Sequence, residues 1–231
     1  VKEIVQDASI AKERIVEGRN VCGIHFTNGD AFAVASVMNC EGKELAVRYF
    51  KGGKEYTHRC SKVLEKIEKS RKSRGENAGG RVNQKYWMHL KHLGEQYAHQ
   101  VSLNIVTFCK EQDVSIIAFP KYDEEYRRHV LKGAGNFGTL HLSTRIREYL
   151  TYKAWKEGIL VLDVNAKETH RICAICGSEI TQQDKESKRF VCEEGHQGDA
   201  YLNVARNAAK RCMEQFRKKA GKEKNVSAKK S

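Results

Sequence analysis

A mixed β-sheet flanked by helices, with a small metal-binding module inserted before the last helix, is the fold class this sequence predicts. Three observations lead there. Three β-rich runs come first, and two short apolar runs follow later, separated by long helical segments. A Cys-x-x-Cys pair with a third cysteine behind it then breaks the alternation. Finally, the 231 residues are 40% hydrophobic and 31% charged, enough to bury a core and too apolar for a wholly disordered chain.

After an N-terminal extension over 1–19, the runs Asn20–Phe26, Ala31–Met38 and Glu44–Phe50 alternate with Asn28-Gly29-Asp30 and Asn39–Lys43, which are turn signals. They read as an antiparallel meander. Ser61–Arg74 reads as a basic helix ended by the polar Gly75–Gly80 loop. In Arg81–Gln112 the positions Tyr86, Leu90, Leu93, Tyr97 and Val101 recur every three or four residues, the stripe of a half-buried helix. Val114–Phe119 is a continuous apolar run, a buried strand that Pro120, the only proline, is expected to close. A charged loop leads to Ser143, the expected N-cap of a helix through about Glu157, and Ile159–Val164 is a second buried strand. Asp199 or Tyr201 opens a last helix with Val204, Ala208, Cys212 and Phe216 on one face. The Lys-rich stretch 217–231 is expected to be a disordered basic tail. Three antiparallel strands followed by helix, strand, helix, strand and helix is the order of an RNase H-like α/β fold. Its core would occupy 20–168, with a basic helical insert over about 61–112.

The charge balance narrows function. Lys plus Arg number 42 against 29 Asp plus Glu, a net +13, and that excess calls for a polyanionic partner, RNA or DNA. Lys62, Lys66, Lys69, Arg71, Lys72 and Arg74, with Arg81 and Lys85 beyond the loop, form the candidate phosphate-tracking surface; the plainer alternative is a solvated helix face. Trp87 and Tyr86 can stack on bases, although Tyr86 sits on the core stripe. The tail lysines would add unspecific phosphate attraction or only solubility. No apolar run approaches the roughly 18 residues a membrane helix needs, so no membrane role is expected. Nor does the N-terminus carry a secretion-signal pattern, which points to a reducing cytoplasm. There the eight cysteines are expected as thiols or metal ligands rather than disulfides.

Cys173-x-x-Cys176-Gly followed by Cys192 is half of a zinc ribbon over 169–198, because a two-residue gap lets both thiolates of a knuckle reach one tetrahedral ion. Position 195, where a fourth cysteine is expected, is Gly195, and His196 is the best substitute, giving a Cys₃His site for structural zinc. The alternative is a degenerate ribbon with reduced thiols and an exposed His196. Cys22, Cys40, Cys60, Cys109 and Cys212 are read as packing residues.

The stretch 149–176, continuing through Arg189-Phe190-Val191-Cys192 and Asn203-Val204-Ala205-Arg206-Asn207, resembles the C-terminal half of the TnpB family of transposon-encoded RNA-guided nucleases and related type V CRISPR effectors. Gly23-Ile24 and Ile116-Ile117-Ala118-Phe119 resemble that family's first two RuvC motifs, so the resemblance covers about 21–212 and implies a RuvC-type RNase H-like core. It also implies where catalytic carboxylates belong. The family's Gly-Ile-Asp is here Gly23-Ile24-His25, with Thr27 at a usual glycine. The glutamate ending the second motif is replaced by Pro120. The aspartate two residues before the asparagine of the last helix is replaced by Tyr201, with Asp199 just outside. Two Mg²⁺ ions need a cluster of oxygen anions, so no intact catalytic set and no catalytic magnesium are expected. His25 would be a core histidine, and Tyr201 would fill the vacated space.

The resemblance therefore implies a nuclease-inactive protein that binds guide RNA or an RNA–DNA hybrid in a larger complex, in a prokaryotic cytoplasm or nucleoid. About twenty residues precede the first strand where the family carries a guide-gripping half. A separate subunit, a homo-oligomer or a shortened protein are the options. Two rival readings remain open. One is an active metal-dependent endonuclease in which Asp30, Asp123 or Asp199 reaches the site and His25 ligates a softer metal; the other is a structural subunit that contacts mainly protein.

Overall fold

The computed structural model describes residues 10–15, 17–74, 83–133, 137–184 and 186–227. After a helical turn, α1 (residues 10–15), come β1 (Asn20–Phe26), β2 (Ala31–Met38) and β3 (Glu44–Lys51), then α2 (Gly53–Arg74), α3 (Gln84–Glu111) and β4 (Val114–Lys121). They are followed by α4 (Glu124–Gly133), a 3₁₀ turn at Thr139–Leu142, α5 (Ser143–Lys156), β5 (Leu160–Asn165), β6 (Ile180–Gln183), β7 (Arg189–Cys192), β8 (Gln197–Asp199) and α6 (Ala200–Ser227). The large sheet has the order β3-β2-β1-β4-β5, antiparallel within the meander and parallel from β1 through β4 to β5. This is the mixed α/β sheet, with helices on both faces, that the sequence predicts.

Period-two alternation sorts the strands. Cys22, Ile24, Ile117 and Phe119 join the core beneath α2, α3 and α5, whereas Val21, Ile116, Ala118 and Val164 join the one beneath α6. Gly23 lies on the α6 side, where a Cβ would fall 1.9 Å from the Ala205 carbonyl oxygen. The absence of a side chain is what seats α6 against β1.

Four local expectations are corrected. The strand does not stop at Phe119: Pro120 lies inside β4, paired with Val164, and the β1 ladder has already ended at Ala118, so the missing N–H falls where β4 has one neighbour. Ser143 is the first residue of α5 and not its cap, since the cap position is Leu142 with no side-chain hydrogen bond and the preceding 3₁₀ turn leads into the helix. The charged loop before it contains α4. And the stretch 217–227 is not an irregular tail: α6 runs to Ser227, because its alanine, lysine and glutamate residues favour helix, while 228–231 lie outside the described residues. Arg217, just past the last core contact, donates to the Cys40 carbonyl.

Four of the five cysteines read as packing residues, Cys22, Cys60, Cys109 and Cys212, are buried; Cys40 is partly exposed. Among the described residues no helix is long and apolar enough to cross a membrane.

Candidate functional site

The carboxyl ends of β1, β4 and β5 open into a cleft of about 470 Å³, the end of a parallel sheet where ligands are usually taken. Gly23 and His25 share the α6 face by alternation, and the first turn of α6 brings Tyr201 beside His25. The sequence-singled positions His25, Pro120 and Tyr201 therefore line one cleft, with Phe26, Phe119, Lys121, Tyr122, Arg147 and Asp163. The His25 and Tyr201 rings lie 5.6 Å apart at 34°, and the Tyr122 hydroxyl stands 3.5 Å from His25 Nδ1.

Among the described residues the one carboxylate lining the cleft is that of Asp163, on β5 beside Phe119. It is engaged: Arg147 of α5 reaches it at 2.6 Å while the guanidinium lies 5.0 Å over the Phe119 ring. Asp30, Asp123 and Asp199 are not among the lining residues. Asp199 instead caps α6 by accepting the Leu202 N–H at 2.8 Å. It also holds Tyr49, whose hydroxyl pKa is pushed up to about 12 by burial first and by the Asp199 charge next.

Burial, with the His170 charge adding to it, lowers the His25 pKa to about 4, so the imidazole is neutral at pH 7. Between about pH 6.5 and 4 the unfolded chain takes up a proton at this position that the folded chain refuses. Stability is therefore expected to fall as pH drops through that window and to level off below it, by about 3 kcal/mol in all from this group. Urea midpoints at pH 7 and 4.5 check this; His25→Gln should flatten the difference, and an unchanged difference would contradict it.

The second site is the ribbon. Cys173, Cys176, Cys192 and His196 bring one ligand atom each within 4.8 Å of one another, the sole such group among the described residues. Cys176 Sγ to Cys192 Sγ is 3.7 Å, and Cys192 Sγ to His196 Nδ1 is 3.6 Å. Zn–S and Zn–N bonds of about 2.3 and 2.05 Å at tetrahedral angles give edges of about 3.8 and 3.6 Å, so the donor set fits zinc. Burial alone would raise the Cys192 pKa, but hydrogen bonds from Ser178, His196 and Cys176 outweigh it and bring it to about 6. The thiolate that a metal needs is thus favoured. This cluster can bind a metal such as zinc.

Two asparagines tie the entry to the ribbon to helix α6, a role the sequence reading did not assign. Asn203 accepts the Ala174 N–H at 2.7 Å and donates to the Ile172 carbonyl at 2.8 Å; Asn207 donates to the Thr169 and Ile172 carbonyls at 2.8 Å each. Both are buried. One turn apart on α6, they satisfy the backbone leading into the Cys173 knuckle. Asn203→Ala, which orphans a buried N–H, is expected to cost about 2–3 kcal/mol and to speed amide exchange at Ala174; unchanged exchange there would contradict this role.

The basic surface is more neutralised than the sequence suggests. On α2, Lys62 meets Glu65 at 3.3 Å and Lys72 meets Glu68 at 2.7 Å, pairs set by helical spacing. Lys66, Lys69 and Arg71 are exposed with no ion pair among the described residues. Lys85 lies 5.0 Å over the Tyr86 ring. Tyr86 packs on the core, and Trp87 is partly exposed. The Arg74 side chain and Arg81 lie outside the described residues.

Residues 144–208, from the first turn of α5 through the ribbon into α6, match the family described as Cas12f1-like, TNB domain. No curated protein matches the chain by sequence. In fold it is similar to the protein of a Cas12f1–sgRNA–target DNA complex, with a TM-score of 0.64 and 13% identity over 82% of this chain and 49% of that one. It is similar also to the protein of a CRISPR-Cas12f ternary complex, with a TM-score of 0.63 and 16% identity over 82% and 38%. A third is the mini-RNA-guided endonuclease CRISPR-Cas_phi3, with a TM-score of 0.58 and 10% identity over 90% and 47%. The chain spans less than half the length of these proteins, and at such identities the likeness is one of fold. In its fold and in its TNB match over 144–208, the chain resembles the C-terminal half of TnpB and type V effector-like proteins.

Proposed function

We propose that the chain is a nuclease-inactive effector-like protein that binds a guide RNA or an RNA–DNA hybrid within a larger complex and occupies a target without cutting it. One observation carries this reading: the cleft at the sheet's carboxyl end is lined by an imidazole, a pyrrolidine and a phenol, and the single carboxylate that lines it among the described residues is already paired with Arg147. Two Mg²⁺ ions require several oxygen anions that face both metals. The cluster that fits a metal is the ribbon, where zinc would be structural, closing the knuckle without an open coordination position.

Binding itself is supported by the net +13 charge and by Lys66, Lys69 and Arg71 on α2. In this division of labour base pairing supplies sequence while the protein holds backbone and shape.

The experiment is a salt titration of binding to a labelled RNA–DNA hybrid. Affinity should fall steeply and linearly on a log–log scale, with a slope of several ions. Lys66→Ala, Lys69→Ala and Arg71→Ala together should reduce that slope by about 2–3. Binding that is absent at low salt, or insensitive to salt, contradicts the proposal and favours a protein-contacting subunit.

A further inference from the structure

Helices α3 and α5 pack together on the side of the sheet opposite α6, and their seam carries a set of rings turned toward solvent. Trp155 is 77% exposed and Tyr152 42%. An indole that open to water contributes almost nothing to the core. Tyr152 belongs to a connected set: His99 of α3 stacks on Tyr149 at 3.9 Å and 12°, and Tyr149 meets Tyr152 edge-on at 6.2 Å. Ammonium groups hang over them. Lys153 Nζ stands 5.9 Å from both tyrosine rings and Lys156 Nζ 5.9 Å from Tyr152.

Lys153 is fixed by donating at 2.7 Å to the His99 carbonyl and at 2.7 Å to Ser102 Oγ. Lys156 has no carboxylate within ion-pair distance among the described residues. Of the nearby acids, Glu157 is taken by Lys110 at 2.7 Å, and Glu148 is exposed one turn before Tyr152.

We propose that this α3/α5 face is a stacking platform for single-stranded nucleic acid, with bases lying on Tyr152 and Trp155 and phosphates meeting Lys156 and Lys153. Three positions apart on α5, the two exposed rings are neighbours on the helix surface. Aromatic rings interleaved with ammonium groups hold a strand whatever its sequence, since every base has a π-face and every linkage a charge. An ordinary protein-docking patch would instead be depleted of lysine at its centre. None of Tyr152, Lys153, Trp155 and Lys156 lines the cleft. The inference rests on the reading of the chain as a nucleic-acid binder, and it adds a single-strand surface to it.

The chain has two tryptophans, so Trp87→Phe leaves Trp155 as the only indole reporter. Titrating that full-length variant with a short oligothymidylate is expected to quench Trp155 emission. In a separate polarisation assay with labelled oligothymidylate, Tyr152→Ala with Trp155→Ala should weaken binding about tenfold or more, leaving RNA–DNA hybrid affinity and the melting temperature unchanged.

Oligothymidylate binding with unaltered Trp155 emission and unaltered affinity in the double variant overturns the platform, while retained hybrid binding keeps the broader reading standing. Failure to bind either probe at low salt overturns both. Trp155 emission that changes with protein concentration alone, in a dimer lost in the double variant, assigns the face to a second copy and overturns the platform.

Discussion

Cys192→Ser, or treatment with a strong zinc chelator, is expected to unfold the ribbon from about 175 to 199 while the large sheet keeps its melting transition. The module cannot hold itself together by burial. Its core is Cys173, Phe190 and Cys192 with Ile180 against them, its strands are four, four and three residues long, and two of its core residues are themselves ligands. A unit that small needs a metal or a disulfide in place of a core. Structural zinc supplies on the order of 10 kcal/mol in such modules, far more than Phe190 and Ile180 contribute together.

Asn203 and Asn207 fasten the backbone from Thr169 to Ala174, so the entry to the knuckle should stay attached while β6 and β7 open. Amide exchange and limited proteolysis read this directly. Protection across β6 and β7 is expected to vanish on chelation and return with added Zn²⁺. Protection indifferent to chelator would mean that the four ligands are a reduced cluster with no metal.

Gly23→Ala is expected to cost about 3 kcal/mol or more, at the upper end of overpacking effects. The added methyl would meet the Ala205 carbonyl oxygen at 1.9 Å and the Ala209 nitrogen at 2.7 Å. Both are helix backbone atoms, which no rotamer change can move aside, so α6 must lift from β1. That helix buries Ala208, Ala209, Cys212, Met213 and Phe216 against Val21, Met38, Ile116, Ala118 and Val164, and it carries Tyr201 into the cleft. Urea unfolding should show a lowered midpoint with an unchanged slope. A midpoint within experimental error of the parent would refute close packing of α6 on β1.

How much of this was legible in sequence follows from where the information sits. Strands β1 to β3 and helix α3 were readable because their periodicities are local and uninterrupted. The ribbon's four candidate ligands were readable because knuckle spacing is itself the chemistry. Pro120 misled because the rule that proline ends a central strand presumes neighbours on both sides, and strand order is not written locally.

The start of α2 at Gly53 was masked by Gly52-Gly53, which reads as a break. α4 was read as charged loop because its ten residues are too few to show a period. Asp163 was missed for a different reason: its importance comes from Arg147 on another element, and no sequence spacing announces that pair. The same holds for Asn203 and Asn207, whose partners are backbone groups about thirty residues earlier in the chain. His25, Pro120 and Tyr201 stand 95 and 81 positions apart in the numbering. Only the parallel pairing of β1 with β4, and α6 across them, brings the three to one cleft.

The most direct test of the central claim, that this cleft does not hold a hydrolytic metal pair, is incubation of the purified chain with end-labelled single-stranded DNA and RNA–DNA hybrid in millimolar Mg²⁺ or Mn²⁺. The expected result is no product above a protein-free control with either ion. Cleavage in the parent that His25→Ala abolishes would contradict it.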